Sequence, residues 1–418
     1  MERSAIGSPL KQAAHRNPAD HPRLHGPRLH GLDTLRSIAI LTVMAFHTYE
    51  LHAANTIPDA LLPVVKMCWA GVDLFFVLSG YLIGSQLLRP YAQARRVPAF
   101  SSLWTFYFKR FFRVLPVYAV VLSLYIAIPM WREAPHMAAH WQYFTFTENL
   151  FVNYPHDRAF SHVWSLCVEE HFYLLLPLIV LLMMRKPTFA KTAGLIAGVV
   201  LLGIGIRAFV LFHWMRPLAE QGHSFIVPYV KLIYFPTYSR LDGLLAGVTL
   251  AVIKLFRPVW WNALAQRGHT LTLAGAGFVG VALWLSKDRF VSAFGAAAFG
   301  TVFAFPLLSL GLGLLVASAL SNNGLLSRYR VPGARIVAAL AYTLYLSHKG
   351  ILHLGEVYFP AISAAGGLRW IALFASTAFA ASAILYLCVE RPFMLLRDNL
   401  LGKHKTRVDR EIQAEPAL

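Results

Sequence analysis

Apolar residues in this 418-residue chain gather into long runs separated by short polar clusters. The runs fall near 35–52, 68–88, 114–131, 164–184, 192–212, 241–256, 270–286, 291–320, 336–354 and 368–389. A helix needs about 20 such residues to cross the hydrocarbon core of a bilayer. The pattern therefore predicts an all-α integral membrane protein, a polytopic bundle of about ten transmembrane helices. Pro116, Pro177 and Pro306 fall inside or at the edges of runs, which membrane helices tolerate. Residues 1–31 are polar, lack the apolar stretch of a cleavable signal peptide, and are expected to form a disordered cytoplasmic tail. Residues 32–392 are expected to form one transmembrane domain, and 393–418 a cytoplasmic C-terminal tail.

Composition sharpens this reading. The chain is 57% hydrophobic and 14% charged, against about 25% charged residues in an ordinary soluble protein. The mean hydropathy is +0.53. A net charge of +18 and a pI near 10.0 suggest nucleic acid at first sight. Membrane proteins, however, concentrate Lys and Arg in their cytoplasmic loops. Ten spans with both termini inside place well over half of the 38 Lys and Arg residues on the inner side. The basicity then needs no nucleic acid. Three cysteines make no metal-ligand spacing, no metal site is expected, and Cys68 and Cys167 are the pair a disulfide would join.

Polar groups within the runs are few, and each carries information. Arg36 and His47 bracket the first run. Eleven helical steps of about 100° return to nearly one face, and eleven rises separate the two groups by roughly 16 Å. A fixed cation and a titratable imidazole thus share a face, about half a bilayer core apart. Ionisable groups in that setting are costly and mark functional sites, although a buried helix with a charge at each end is the plainer reading. Asp33 lies three residues before Arg36, placed to orient it or to mark the helix start. Asp73 opens the second run, on the side of His47. Ser79-Gly80 is a small pair that lets helices approach closely.

Arg110 and Arg113 precede the third run at i and i+3, where two guanidinium forks can converge on a phosphate. Ordinary inner-face anchors have the same appearance. Trp164, Ser165, Glu169, Glu170 and Tyr173 open the fourth run. Glu169 and Glu170 point about 100° apart, so at most one of them is expected to face a cavity at His47. Arg240 and Asp242 open the sixth run and read as a salt pair at membrane depth.

In this order the segments resemble the acyltransferase-3 family of bacterial membrane O-acyltransferases, from about Leu32 to Pro392. The pieces are Leu32-Asp33-Thr34-Leu35-Arg36 with His47, Phe75-Phe76-Val-Leu-Ser79-Gly80-Tyr81, Arg110-x-x-Arg113, Trp164-Ser165-Leu-x-Val-Glu169-Glu170-x-Phe-Tyr173, Ser239-Arg240-Leu-Asp242, Tyr342-Thr-Leu-Tyr345-Leu-x-His348 and Glu390-Arg391-Pro392. The resemblance implies transfer of an acyl group, most simply acetyl, from cytosolic acyl-CoA to a hydroxyl of a glycan or glycolipid at the extracytoplasmic side. It implies a multi-pass protein of the bacterial inner membrane with no permanently bound cofactor and acetyl-CoA as donor substrate.

Carried over residue by residue, His47 is the base or transient acyl carrier, assisted by Arg36, Asp33 and Glu169. Arg110, Arg113 and Arg36 meet the donor. Asp73, Trp164, Ser165, Glu170, Tyr173, Arg240, Asp242 and His348 are assigned to the acceptor. Family members often carry Trp and Pro after the histidine at 348, where this chain has Lys349-Gly350. It also corresponds to the short form, without the C-terminal hydrolase-like domain of larger members. The alternative is a transporter or flippase for a saccharide or lipid-linked substrate, which would use the same buried charges as a translocation path.

Overall fold

The computed structural model describes residues 30–51, 57–94, 100–185 and 188–414, and every regular element among them is helical. The long helices are α1 (His30–Leu51), α2 (Gly71–Ala94), α3 (Phe100–Ala127), α4 (Trp164–Met184), α5 (Phe189–Val210), α6 (Asp242–Phe256), α7 (Gly268–Ser286), α8 (Gly295–Ala319), α9 (Ala334–Tyr358), α10 (Gly367–Leu385) and α11 (Arg391–Ala414). The tail expected at 1–31 lies almost wholly outside the described residues. At the other end, α11 runs straight across the boundary expected at 392.

The count of about ten spans is not confirmed. Seven stretches are long and apolar enough to cross a membrane, and an eighth is obtained by joining α6 to the short helix Pro258–Ala265, bent by 110°. Helices α1 and α9 fall outside this set, although they are 22 and 25 residues long. Their side chains explain it. Asp33, Arg36, His47 and Glu50 interrupt α1, and His348, Lys349, His353 and Glu356 interrupt α9. Asp33, His47, His348 and Lys349 are buried, so the apolarity of these two helices is lowered on faces that point into the protein. In contrast, Leu201, Leu202 and Phe209 of α5 and Leu273 of α7 are exposed, as expected where the surrounding medium is hydrocarbon.

Two packing relationships position the site. Helices α2 and α6 cross at Gly80 and Gly247, each in contact with the other helix's backbone, where a Cβ would collide. Close approach at small residues is how membrane helices gain dispersion contacts. Helices α1 and α9 run parallel. Ser37 Oγ donates to the Ala334 carbonyl at 2.7 Å near the start of both, and their histidines meet further along.

The segment between α3 and α4 folds into short helical turns packed on α3. Tyr125 stacks on Phe160 at 4.3 Å between ring centres, and Tyr118 stacks on Phe146 at 4.8 Å. Phe160 takes a left-handed backbone, φ 59°, rare for a bulky residue. Its N–H donates to the Glu133 carboxylate at 3.1 Å, which fixes the turn that delivers Ser161 and His162 to α4.

Candidate active site

Three histidines from three parts of the chain meet inside the bundle. His47 comes from α1, His348 from α9, and His162 from the turn before α4. His47 Nδ1 lies 2.9 Å from His348 Nε2. His348 Nδ1 lies 3.0 Å from the Leu344 carbonyl and 2.8 Å from that of Tyr345. Carbonyls only accept, so Nδ1 of His348 carries that ring's proton and its Nε2 accepts. His47 must then donate from Nδ1, which leaves the lone pair of a neutral His47 on Nε2. The neighbour of that nitrogen is Glu50 at 3.9 Å, beyond hydrogen-bond reach. His162 completes the group, its ring 5.1 Å from that of His348 and 6.1 Å from that of His47. Its Nε2 donates to the Leu346 carbonyl at 3.3 Å, and its buried Nδ1 has no partner.

His47 and His162 open into a cavity of about 550 Å³ walled by aromatic residues, among them Trp69, Trp164 and Tyr234. Arg36 opens into another, of about 170 Å³, together with Arg110, Arg113, Ser165, Glu169 and Tyr173. Tyr345 lines both. Its hydroxyl donates to the His162 carbonyl and accepts from Ser165 Oγ, each at 2.6 Å. The shared helical face of Arg36 and His47 is therefore divided, and Tyr345 forms part of the division.

Charges in the Arg36 cavity are unequally engaged. Arg110 lies between Glu169 and Glu170, at 3.5 and 3.4 Å, over the ring of Tyr173 at 3.7 Å. Glu169 also accepts from Ser79 Oγ at 3.1 Å and from the Tyr173 hydroxyl at 2.5 Å. Arg113 is paired with the fully buried Glu390. Arg36 lines the same space without a carboxylate in ion-pair contact among the described residues. Neither Glu169 nor Glu170 lines the His47 cavity; both serve Arg110 instead. Asp33 is buried in the first turn of α1 and lines neither cavity.

The salt pair expected between Arg240 and Asp242 does not form. Asp242 is engaged by Arg207 of α5, at 2.8 and 3.2 Å, while Arg240 reaches back to Asp73 of α2 at 2.9 Å. Asp242 is the first residue of α6 and Arg240 sits in the turn before it, so the two side chains diverge. Asp73, assigned to the acceptor, is thus held by Arg240 and does not line the His47 cavity. Arg240 is 1% exposed and packs over Phe305 at 3.9 Å and Tyr234 at 4.8 Å, with Trp164 at 5.2 Å.

His162, Tyr345 and Lys349 had no assigned role from sequence. Lys349 is buried and pairs with Glu133 at 3.3 Å, tying α9 to the α3–α4 segment. Gly350, in contact with the Trp131 indole, has no room for a side chain. The signal for His162 was present, a histidine two residues before Trp164-Ser165, but its partners lie on α1 and α9. The cysteines Cys68, Cys167 and Cys388 are all free. No cluster with metal-ligand geometry occurs among the described residues.

The arrangement is that of a polytopic helical membrane protein with buried histidines between an arginine-lined cavity and a larger aromatic one. The chain belongs to the acyltransferase-3 family, whose acyltransferase domain matches residues 29–388. It is similar to an O-acetyltransferase OatA of Staphylococcus aureus (strain NCTC 8325 / PS 47), 26% identical over 361 residues, covering 81% of this chain and 53% of the relative. It is also similar to the peptidoglycan O-acetyltransferase OatA of Listeria monocytogenes, 23% identical over 343 residues, covering 77% of this chain and 49% of the relative. The chain thus spans about half the length of the curated relatives it matches. No solved structure matches it.

Proposed function

We propose that this protein is a multi-pass O-acyltransferase of the bacterial inner membrane, most simply an O-acetyltransferase, with both termini cytoplasmic. It takes the acyl group from cytosolic acyl-CoA and passes it to a hydroxyl of a glycan or glycolipid met from the extracytoplasmic side. The observation that carries this reading is the free Nε2 of His47, held in that tautomer by His348 and facing a cavity large enough for a sugar. A general base must present a lone pair within reach of the acceptor proton, with its other nitrogen fixed. The relatives named as O-acetyltransferases support the same acyl group.

Nε2 of His47 takes the proton of the acceptor hydroxyl while its oxygen bonds to the thioester carbonyl carbon. The C–S bond then breaks, and the leaving thiolate recovers the proton from His47. The ester and free CoA are the products. Arg36, uncommitted to a carboxylate, meets the negative charge of the donor; Arg110 and Arg113 offset the carboxylates of Glu169, Glu170 and Glu390 around it.

The test uses the full chain, purified into lipid nanodiscs with acetyl-CoA and a peptidoglycan disaccharide. The expected result is a gain of one acetyl group on the sugar and stoichiometric free CoA. His47→Ala should abolish both. Normal transfer in that variant, or movement of the glycan across the membrane without covalent change, would overturn the proposal.

A further inference from the structure

Three arginines, Arg207, Arg240 and Arg289, are buried around the aromatic group Trp69, Tyr234 and Phe305. Two have carboxylates, Arg207 with Asp242 and Arg240 with Asp73. The third does not. Arg289 is 7% exposed and has no carboxylate within ion-pair distance among the described residues. Its Nη1 donates to the Ser286 carbonyl at 3.1 Å, and its buried Nε has no partner. Its guanidinium lies 4.6 Å from the ring centres of both Trp69 and Phe290. Leaving a buried charge without a counterion is strongly unfavourable.

Arg289 lines the same cavity as His47. The other charges there do not neutralise it. Lys66 is exposed, with its ammonium 5.6 Å from the Tyr49 ring. Lys287 meets its exposed neighbour Asp288 at 4.0 Å. Lys349 is taken by Glu133. Glu50 is the carboxylate among the lining residues, and it faces Arg158 at 3.6 Å and His47 at 3.9 Å. The cavity is thus cationic on one wall, with a rigid, desolvated guanidinium between two aromatic faces. Such a fork is suited to an oxyanion rather than to a neutral hydroxyl.

We infer that Arg289 is the anion-binding residue of the acceptor subsite, and that the acceptor carries a carboxylate or phosphate beside the hydroxyl that is acylated. This rests on reading the His47 cavity as the acceptor side. Lys66 and Lys287 at the rim would draw such an acceptor inward, an effect weakened by salt. The anion supplies the counterion that Arg289 lacks, so binding and pairing coincide.

The experiment compares matched acceptors in nanodiscs with acetyl-CoA. These are the N-acetylglucosaminyl-N-acetylmuramic acid disaccharide with a free carboxylate, its methyl ester, N-acetylglucosamine 6-phosphate and N-acetylglucosamine. The wild-type KM should be at least tenfold lower for the charged member of one pair, and the pair showing it identifies carboxylate or phosphate as the source. Arg289→Gln should raise the KM for that charged acceptor about tenfold and that of the neutral partner by much less, while an unfolding midpoint no lower than the wild type's reports an intact fold. Arg289→Lys should retain part of the preference. Equal wild-type KM values, or an Arg289→Gln loss that is the same for charged and neutral acceptors, would overturn the inference. Absence of transfer to every acceptor would instead strike the acyltransferase reading. In that case, equilibrium binding of free acid and methyl ester decides on Arg289: a preference lost in Arg289→Gln supports it, and no preference sinks it.

Discussion

Arg36 and His47 stand eleven residues apart on α1 and open into two different cavities, with Tyr345 lining both. On the proposed donor path, a thioester approaching past Arg36 would pass the Tyr345 wall before its carbonyl reaches His47. Tyr345 holds that wall through its hydroxyl, bonded to the His162 carbonyl and Ser165. Tyr345→Phe deletes both bonds and keeps the ring, so transfer should fall roughly tenfold or less. Tyr345→Ala merges the two cavities. It should release acyl-CoA to water, with CoA formed in the absence of acceptor rising relative to ester formed in its presence. Thiol release with and without acceptor measures the ratio. An unchanged ratio in Tyr345→Ala would show that the wall does not separate donor from acceptor.

The histidine pair makes a second prediction. Removal of a positioned general base costs about 10²–10⁴-fold in rate. His47→Ala should fall in that range or below detection. In the proposed mechanism His348 acts through His47, so His348→Ala should cost less, about tenfold to a hundredfold, mainly in kcat. The double variant should be no worse than His47→Ala alone, because residues acting as one unit are not additive. A double variant much slower than either single one would mean that His348 contacts the reactants independently.

The arginines of the smaller cavity should separate by their partners. Arg36 has no carboxylate in ion-pair contact among the described residues, so Arg36→Gln should raise the KM for acyl-CoA with little change in thermal stability. Arg110→Gln strands Glu169 and Glu170, and Arg113→Gln strands Glu390. An uncompensated buried charge costs on the order of 3–5 kcal/mol, so those two variants should lose stability first. Thermal unfolding in detergent, set beside acyl-CoA kinetics, distinguishes the patterns. Equal destabilisation by all three substitutions would contradict the assignment.

Much of this site could be read from local spacing, because a helix repeats its face every 3.6 residues. That placed Arg36 and His47 on one helix and flagged Glu169, Glu170, Arg110 and Arg113. The close helix approach expected at Ser79-Gly80 is also found, with α6 against Gly80. What local spacing does not encode is which helix lies opposite. Arg240 and Asp242 are near neighbours in sequence but turn to different helices, and residues two apart do not face each other. The partners His348 for His47 and Arg207 for Asp242 come from chain segments 301 and 35 residues away. The span count goes unconfirmed for a related reason. The helices with the most chemistry carry the most polar side chains, so apolarity is least informative there.

The crossed pairs can be tested by double-mutant cycles. Coupling should appear between Asp73 and Arg240, and between Asp242 and Arg207, at roughly 0.5–3 kcal/mol. Between Arg240 and Asp242 it should be near zero. Unfolding midpoints of single and double alanine variants supply the cycles. Strong coupling between Arg240 and Asp242 would restore the pairing suggested by their closeness in sequence.

Glu148 gives a prediction in pH. It lies in the short helix Glu148–Phe151, outside the membrane-spanning stretches, fully buried, with neither carboxylate oxygen hydrogen-bonded. Burial pushes its carboxyl well above the usual range; nearby Asp157 adds to the shift and Lys349 opposes it. In the folded protein the group therefore keeps its proton at a pH where the unfolded chain has lost it. The unfolded state then binds fewer protons, and stability falls as pH rises. The loss begins above the ordinary glutamate value of 4.5 and continues until the folded group also ionises. Glu148→Gln keeps the shape and removes the titration. Its melting temperature should match the wild type near pH 4 and exceed it by a few degrees, on the order of 2–4 °C per kcal/mol, near pH 8. A gap that is the same at both pH values would mean that Glu148 is ionised in the fold and that its counterion lies within reach.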